Sequence, residues 1–407
     1  MVKFNKIIYG VFAFSIIASY GFTNSFAQEA ENVSGIEEII VTARQQAESL
    51  QDVPVTVSVM SEVDLDRYNI SNLVDAAKMV PNFRINAGGS GNGSNIYLRG
   101  IGSSSISAAF DQSVAINIDG VVVNRGRFIH NAYLDMAQIE VLKGPQSLYF
   151  GKSATAGVIS IKTNDPTDEF EAELGVGFES EYETTFLEGV ISGPIGENLL
   201  ARLAFGTSET DELRQNYSFA NDPMPFGNGT KPFFGEESSN VRLTLLWTPT
   251  ENLTAKLKYQ YSKYENDGGG TMFQEEWCAD GLGNPLAHQA TGVPGAAAAF
   301  TTRQGVDDCV VNGNTSKINL EPGLRAGLPY GYEDGEPGLN QETDMVSLEI
   351  NWDINDRLAL TSVTSLVELD HDELDDYSYG AGVYGGLHRN VYEHTSQEFR
   401  LASDFEG

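Results

Sequence analysis

The chain has 407 residues, of which 57 are acidic and 25 are basic, so its formal net charge at pH 7 is -32. Because this excess of negative charge repels a phosphate backbone, it argues against nucleic-acid binding. A hydrophobic content of 41% is too high for a disordered chain, and the length is sufficient for several domains or one large barrel.

The N-terminus has the pattern of a bacterial export signal. Two lysines precede an apolar run at residues 7–18, and the small residues Ser25 and Ala27 form an A-x-A-like cleavage site. The apolar run is shorter than the roughly 20 residues that a membrane-spanning helix needs, which disfavours the alternative of an uncleaved anchor. We therefore predict a signal peptide over residues 1–27 and an exported protein without a transmembrane helix.

Residues 28–166 carry a net charge of -5 and have the pattern of a small α+β domain. A β-branched run at 53–60 predicts a strand, after which Ser61 and Asp64 resemble a capping box that begins a helix. A second helix is predicted at 71–79 and is ended by the following proline. Further strands are predicted at 95–98, 114–118, 121–123, 139–142 and 157–162.

Residues 167–407 carry a net charge of -29 and alternate apolar and polar side chains with period two. In the segment 253–261 the odd positions are apolar, whereas the even positions include Lys256 and Lys258. One face of such a strand is apolar and the other is polar. About eight strands are predicted, at 170–178, 183–193, 199–206, 241–247, 253–261, 346–352, 357–371 and 390–403.

The connections between these strands alternate in length. Short polar turns are predicted at 194–198, 249–252, 353–356 and from 404 onward, and long polar segments at 211–239, 265–341 and 372–389. This layout is typical of an outer-membrane barrel, with turns in the periplasm and loops outside. A soluble β-sandwich is the alternative, although its loops would not be expected to sort by length so regularly.

Eight strands form only the smallest barrel, whose interior is filled by its own side chains. The domain at 28–166 could not fit inside such a barrel, and the chain ends at Gly407 directly after a predicted strand. We therefore predict that the sequence holds a whole N-terminal domain and the first part of a much larger barrel.

Six ordered motifs resemble those of the TonB-dependent outer-membrane receptors. They are EEIIVTAR at 37–44, DVP at 52–54, VPN at 80–82, LRGIG at 98–102, IDGV at 118–121 and IEVLKGP at 139–145, and the match continues to residue 161. The motif residues include Arg99, Gly100, Asp119, Gly120, Glu140, Lys143, Gly144, Pro145, Gly151 and Gly157. Lys143 and Lys152 depart from the arginines common in the family, so ion pairs with the barrel wall are expected to differ in detail.

The resemblance implies an α+β plug domain followed by antiparallel transmembrane β-barrel strands, here about 8 of an expected 22, in the outer membrane of a Gram-negative bacterium. The implied organisation is a signal peptide at 1–27, a periplasmic segment at 28–51, a plug domain at 52–166 and the N-terminal part of the barrel at 167–407. The short distance from residue 28 to the first motif predicts that no signalling domain precedes the plug.

The resemblance also implies a TonB box at Glu38, Ile39, Ile40, Val41, Thr42 and Ala43. An extended β-branched stretch can add as an edge strand to a periplasmic partner, here TonB with its inner-membrane energising complex. From composition alone, an ordinary first strand of the plug is the alternative.

Ligand contacts in this family usually come from apical plug loops and extracellular barrel loops, here 88–95 and 103–111 together with loop aromatics. The candidate residues are Ser94, Asn95, Ser104, Phe110, Phe273, Trp277, Tyr330 and Tyr332. An iron–siderophore complex is the ligand that the family most commonly implies. A glycan, vitamin B12 or an aromatic compound is the alternative, and a passive porin or adhesin is a further one.

No catalytic residue, cofactor or metal site is predicted. The segment 151–153 lacks the preceding glycine of a P-loop, and the histidines show no H-E-x-x-H pairing. Cys278 and Cys309 lie in the longest loop and are predicted to form a disulfide in an oxidising exterior. The acidic segment 371–376 is predicted to be a solvated loop, with a calcium site as the alternative.

Overall fold

The structure, a computed structural model, describes residues 39–41, 48–86, 93–103, 111–130, 133–211, 214–215, 232–233, 235–267, 322–325, 328, 332, 335–376 and 385–403. Two parts follow one another, and we call residues 40–166 the N-terminal domain and the eight-stranded sheet after it the wall. Within the described ranges, no helix combines the length and the apolar composition needed to cross a membrane.

The N-terminal domain contains short strands and helices. In chain order they are β1 (Ile40–Val41), β2 (Glu48–Ser49), β3 (Thr56–Ser61), α1 (Glu62–Arg67), α2 (Leu73–Met79), β4 (Phe83–Asn86), β5 (Asn95–Leu98), β6 (Ile101–Gly102), β7 (Val114–Ile118), β8 (Val121–Val123), a 3₁₀ helix (Gly126–His130), β9 (Met136–Lys143), α3 (Ser147–Phe150) and β10 (Gly157–Thr163). Five strands form the central sheet in the order β3-β9-β10-β7-β8, with β10 and β7 parallel. Two small sheets, β1-β2 and β4-β5-β6, accompany it.

Local sequence explains where the two longer helices begin. Ser61 caps α1, and its hydroxyl and the Asp64 carboxylate form the predicted capping box. The side chain of Asn72 accepts from the N–H of Asp75 and caps α2. The buried side chains of both helices belong to one hydrophobic core with those of the central sheet.

The wall is antiparallel throughout and follows chain order. Its strands are β11 (Glu171–Glu179), β12 (Thr184–Gly196), β13 (Leu199–Thr210), β16 (Glu236–Thr250), β17 (Leu253–Asn266), β18 (Gly338–Asn355), β19 (Leu358–Asp376) and β20 (Gly385–Ser403). Between them lie β14 (Arg214–Gln215), paired with β15 (Pro232–Phe233), and a helical turn, α4 (Pro322–Arg325). The turns after β12, β16 and β18 define the short-turn end of the wall, and the opposite end is the long-loop end.

The outward side chains of the wall form an apolar band. On β17 they run from Leu253 to Tyr261, while Trp247 and Trp352 lie beside the short-turn end and are 51% and 44% exposed. At about 3.3 Å per residue, the strand from Leu253 to Tyr261 spans roughly 26 Å. That height and the aromatic residues at both margins match the lipid-facing band of an outer-membrane barrel.

Several wall strands extend into segments that were predicted to be long loops. The outer ends of these strands are polar on both faces, so the alternation of apolar and polar residues that predicts a strand is hidden there. The acidic segment 371–376 is the end of β19, so the prediction of a solvated loop there is wrong. His371, Glu373 and Asp375 point inward and are at most 3% exposed. Over the described residues, no cluster of His, Cys, Asp and Glu has the arrangement of a metal site.

Candidate functional site

The N-terminal domain is attached to the inner face of the wall by a group of charged side chains at the short-turn half, which we call the anchor cluster. The polar face predicted for residues 253–261 is the face turned inward. The cations of the anchor cluster are Arg202, Arg242, Lys256 and Lys258, and the carboxylates opposite them are Asp119, Asp135 and Asp165. The wall segment is strongly acidic overall, yet this part of its inner surface is basic.

The first anchor is the turn between β7 and β8. Asp119 and Gly120 have φ values of 49° and 86°, the left-handed conformations that such a two-residue turn requires. The Asp119 carboxylate accepts from the N–H and the hydroxyl of Thr163 at 3.0 and 2.7 Å, and Lys258 Nζ lies 3.1 Å away. Burial acts to raise the pKa of Asp119, but Lys258, Arg242 and the Thr163 donors together lower it below the ordinary value of 3.8.

Asp119 should therefore make the stability of the fold depend on pH in the acid range. Because its folded-state pKa lies below its unfolded value, the stabilisation is complete above pH 3.8 and is lost as the pH falls through the lowered pKa. Thermal unfolding in detergent at a series of acid pH values measures this effect. Asp119→Asn should lose less stability below pH 3.8 than the wild type, whereas Asp168→Asn, at an exposed carboxylate, should follow it. Identical acid profiles for Asp119→Asn and the wild type would contradict the prediction.

The second anchor is a buried ion pair at the start of β9. Asp135 receives Arg202 Nε and Nη2 at 2.8 and 2.7 Å, and the two side chains are only 4% and 7% exposed. Arg242 Nη1 donates to the Leu134 carbonyl at 2.6 Å. The Leu134 side chain packs against Gly206, where a Cβ would lie 3.1 Å from Leu134 Cδ1. Residues 134–135 thus enter a matching site on β13 and β16.

The third anchor is the segment that leads from the N-terminal domain into the wall. Lys256 Nζ lies 2.6 Å from Asp165, although the two side chains are 24% and 48% exposed. The Thr167 N–H donates to Ser192 Oγ at 2.8 Å. Since exposed pairs of this kind contribute at most about 1 kcal/mol, this contact fixes geometry more than it adds stability.

A second group of contacts lies nearer the long-loop end, where the 3₁₀ helix Gly126–His130 meets β18, β19 and β20. Gln341 Nε2 donates to the Arg127 carbonyl at 3.2 Å, and Gln341 Oε1 lies 3.2 Å from His371 Nδ1. With its amide oxygen turned inward, Asn390 accepts from the Arg127 guanidinium at 3.1 and 3.3 Å. The 3₁₀ helix is thereby connected directly to β18 and β20, and through Gln341 to β19.

Tyr392 on β20 adds an aromatic contact beside this group. Its hydroxyl donates to Asn124 Oδ1 at 3.1 Å, and Arg125 lies over its ring at 5.2 Å from the centroid. Phe128 meets the same ring edge-on at a centroid distance of 6.0 Å. Asp111 accepts from Arg125 at 3.1 Å and orients the guanidinium. In the sequence, the only indication that Tyr392 contacts the N-terminal domain is the alternation along β20, which places this residue on the inward face.

The two lysines that replace the family's usual arginines bond within the N-terminal domain. Lys143 Nζ donates to the Pro81 carbonyl at 3.0 Å, and burial, followed by the neighbouring Arg99, lowers the pKa of Lys143. Lys152 Nζ lies 2.6 Å from Asp111. In the described part of the chain, neither lysine bonds to the wall, and the ion pairs with the wall come instead from aspartates.

The other predicted motif residues lie in turns and in the central sheet. Glu140 is fully buried on β9, where Gln138 Nε2 donates to it at 3.1 Å, whereas Pro145 is exposed after β9. At Gly157, with a φ of 155°, a Cβ would overlap the Leu142 carbonyl. Positive φ values are also found at Arg99, Gly100, Gly144 and Gly151.

The predicted TonB box is described at Ile39, Ile40 and Val41; Glu38, Thr42 and Ala43 lie outside the described residues. Ile40 and Val41 form β1, which pairs with β2 over only two residues, and Gln138 Nε2 donates to the Ile40 carbonyl at 3.1 Å. Ile40 is 45% exposed, whereas Val41 is fully buried. The buried residues around Val41 are Val53, Ala115, Leu142, Phe150, Ala154 and Val158.

Few of the predicted ligand-facing residues can be placed. Ser94 is only 1% exposed, because its N–H donates to the Gly126 carbonyl and Gly126 approaches it closely, and its contact with a ligand stays a prediction. Asn95 begins β5. Burial, together with Asp372 and Glu373, raises the pKa of the Tyr332 hydroxyl to about 12. The predicted residues outside the described ranges are Ser104, Phe110, Phe273, Trp277, Tyr330 and both members of the predicted disulfide, Cys278 and Cys309.

Comparison with known proteins agrees with this architecture. Residues 49–158 match the family model of the TonB-dependent Receptor Plug Domain. The vitamin B12 transporter BtuB of Vibrio vulnificus strain CMCP6 is 24% identical over 379 residues, which cover 86% of this chain and 60% of that protein. The chain thus spans less than two thirds of the length of this relative.

Solved structures share the fold. The ferric yersiniabactin uptake receptor FyuA from Yersinia pestis superposes with a TM-score of 0.62 at 18% identity, covering 87% of this chain and 46% of that one. The ferripyoverdine receptor of the outer membrane of Pseudomonas aeruginosa gives 0.63 at 12% identity, covering 90% and 42%. These are receptors and transporters, not enzymes. The chain therefore carries a TonB-dependent receptor plug domain, followed by an antiparallel sheet with the fold of the outer-membrane receptors of that family.

Proposed function

We propose that the chain is the plug-bearing part of an energised receptor in the outer membrane of a Gram-negative bacterium. Such a receptor binds a scarce ligand outside the cell and passes it inward when the N-terminal segment is pulled. The observation that carries this proposal is the contrast between two attachments. Asp135 and Arg202 hold the N-terminal domain to the wall through a buried bidentate pair, whereas Ile40–Val41 is held by a two-residue strand pair.

The pulling partner is TonB with its inner-membrane energising complex, and the segment it captures is residues 38–43. A short β-branched strand with an exposed residue at Ile40 suits capture by strand addition, in which main-chain hydrogen bonds supply affinity. Val41 must leave its apolar site for the segment to extend. Membrane lipid contacts the apolar outward face of the wall.

The ligand is an iron–siderophore complex. Two solved receptors with this fold are named for ferric ligands, and this resemblance supports the choice. Vitamin B12 is the second candidate, because the relative that aligns over 86% of the chain is a vitamin B12 transporter. A glycan or an aromatic compound has no specific observation in its favour.

Growth of a deletion strain distinguishes these ligands. The complete gene is deleted and then restored on a plasmid, and growth is measured in iron-limited medium with single purified siderophores and in medium where vitamin B12 is limiting. We expect loss of growth with one or a few siderophores and recovery on complementation. Unchanged iron uptake together with lost vitamin B12 uptake would select the second candidate, and no change in either would overturn both.

A further inference from the structure

A histidine and a glutamate face each other inside the wall, near the long-loop end. His371 Nε2 lies 3.4 Å from Glu373 Oε2, and the two side chains are 1% and 0% exposed. They are two positions apart on β19 and therefore project from the same face. On its other side, the imidazole places Nδ1 3.2 Å from Gln341 Oε1.

The N-terminal domain fixes which atoms of this group carry hydrogen. Gln341 Nε2 lies 3.2 Å from the Arg127 carbonyl, which can only accept, so the nitrogen of the amide must be on that side. The amide oxygen then faces His371, and Nδ1 must be protonated to donate to it. In a neutral imidazole, Nε2 would consequently be an acceptor that faces a carboxylate oxygen, which is also an acceptor.

We propose that His371 and Glu373 hold one shared proton at neutral pH, and that this proton keeps the wall attached to the 3₁₀ helix Gly126–His130. The proton count is the same whether the proton is bound to Nε2 or to Oε2, since either form places one donor opposite one acceptor. Without the proton, two acceptors would face each other in a site that is closed to water, which is unfavourable.

The charged groups around the pair act in both directions. Burial, followed by Arg127 in the 3₁₀ helix and His388 on β20, lowers the pKa of His371 to about 3, which favours the form with the shared proton on Glu373 Oε2, whereas Asp372 and Asp375 on β19 act to raise that pKa. Tyr332 lies beside Glu373, and Arg125 lies beside Arg127. Burial lowers the pKa of Arg127 to about 10, while Glu373 acts in the opposite direction, so the guanidinium stays charged at neutral pH.

Loss of the proton at higher pH changes what Glu373 attracts. The carboxylate is repelled by the Nε2 lone pair and attracted by Arg127, whose guanidinium also donates to Asn390. The chain of hydrogen bonds from Glu373 through His371 and Gln341 to the Arg127 carbonyl is then broken at its first link. The pH outside the cell is thereby coupled to the attachment of the 3₁₀ helix.

The proton count can be measured without any transport assay. On the purified full-length receptor in detergent, ¹⁵N NMR of labelled histidine reports whether His371 carries one or two ring hydrogens, and infrared spectroscopy reports whether Glu373 is a carboxylic acid. His371→Asn and Glu373→Gln assign the two signals, and Glu368→Gln, at an outward-facing position of the same strand, is the control. The proposal is supported if, besides the hydrogen on His371 Nδ1, one proton is found on either His371 Nε2 or Glu373. A neutral imidazole beside an ionised Glu373, or two protons on the pair, would overturn it.

Hydrogen exchange of amides 126–130 tests the coupling. After correction for the intrinsic effect of pH, these amides should be about threefold better protected at about pH 6 than at about pH 8, the size of effect that one net hydrogen bond produces. The difference should vanish in Glu373→Gln and persist in Glu368→Gln, at the outward-facing position of the same strand. A pH difference that persists in Glu373→Gln, or is lost in Glu368→Gln, would contradict the coupling. Because neither measurement involves uptake, failure of the proposed function would leave this result unaffected.

Discussion

Replacement of Arg202 by methionine is expected to destabilise the attachment of the N-terminal domain by about 3–5 kcal/mol, because it leaves the buried Asp135 carboxylate without its cation. Arg202 donates to both oxygens of Asp135, and the pair is almost completely inaccessible to water. Urea unfolding of the complete receptor in detergent measures the loss. The double variant Arg202→Met/Asp135→Asn should recover much of it, since no unpaired charge then remains buried.

The wall provides a matched control for this prediction. Lys256→Met breaks an ion pair of similar length with Asp165, but that pair is partly exposed. Its loss should cost at most about 1 kcal/mol. Equal losses for Arg202→Met and Lys256→Met would show that burial does not determine the strength of the anchor cluster.

Replacement of Ile40 by proline is expected to abolish uptake while surface binding of the ligand is retained. Proline has no N–H and therefore cannot support the strand pairing through which a periplasmic partner would capture this segment. Uptake and binding of a radiolabelled ligand by whole cells separate the two effects. Transport that survives the substitution would favour a passive channel.

Two variants show whether the effect of proline comes from capture or from local unfolding. Ile40→Thr keeps a β-branched residue with its N–H and should retain uptake. Gln138→Ala removes the hydrogen bonds to the Ile40 carbonyl and to the buried Glu140 carboxylate without changing the segment itself, and it should also retain uptake when unchanged thermal unfolding shows that the N-terminal domain is intact. Loss of uptake in Gln138→Ala would mean that docking of β1, rather than its capture, is the limiting feature.

Much of the fold could be predicted because its signals are local. The capping box at Ser61 and Asp64 and the turn at Asp119–Gly120 each depend on a few adjacent residues, and both are confirmed. Strands β5, β7 and β8 have the predicted limits. The placement of Lys256 and Lys258 on one polar face followed from alternation alone, since period two assigns a face to every position of a strand.

The partners of those side chains could not be predicted, because they depend on how two parts that are distant in the sequence meet. Lys258 and Asp119 are far apart in the sequence, and no local pattern links them. The same holds for Asp135, whose φ of 54° is uncommon for a residue other than glycine. The outer ends of β18 and β19, residues 338–341 and 372–376, fall in the predicted long loops, because polar residues occupy most of the positions there and hide the alternation. The domain limits and the TonB box stay predictions.

The anchor cluster restricts which plugs can be exchanged between receptors. A foreign plug inserted into this wall would place its own side chains opposite Arg202, Arg242 and Lys258. Unless it carries acids equivalent to Asp119 and Asp135, it would leave two or three cations buried and uncompensated. Chimaeric receptors built on this chain should therefore transfer β12 to β17 together with the plug as one unit.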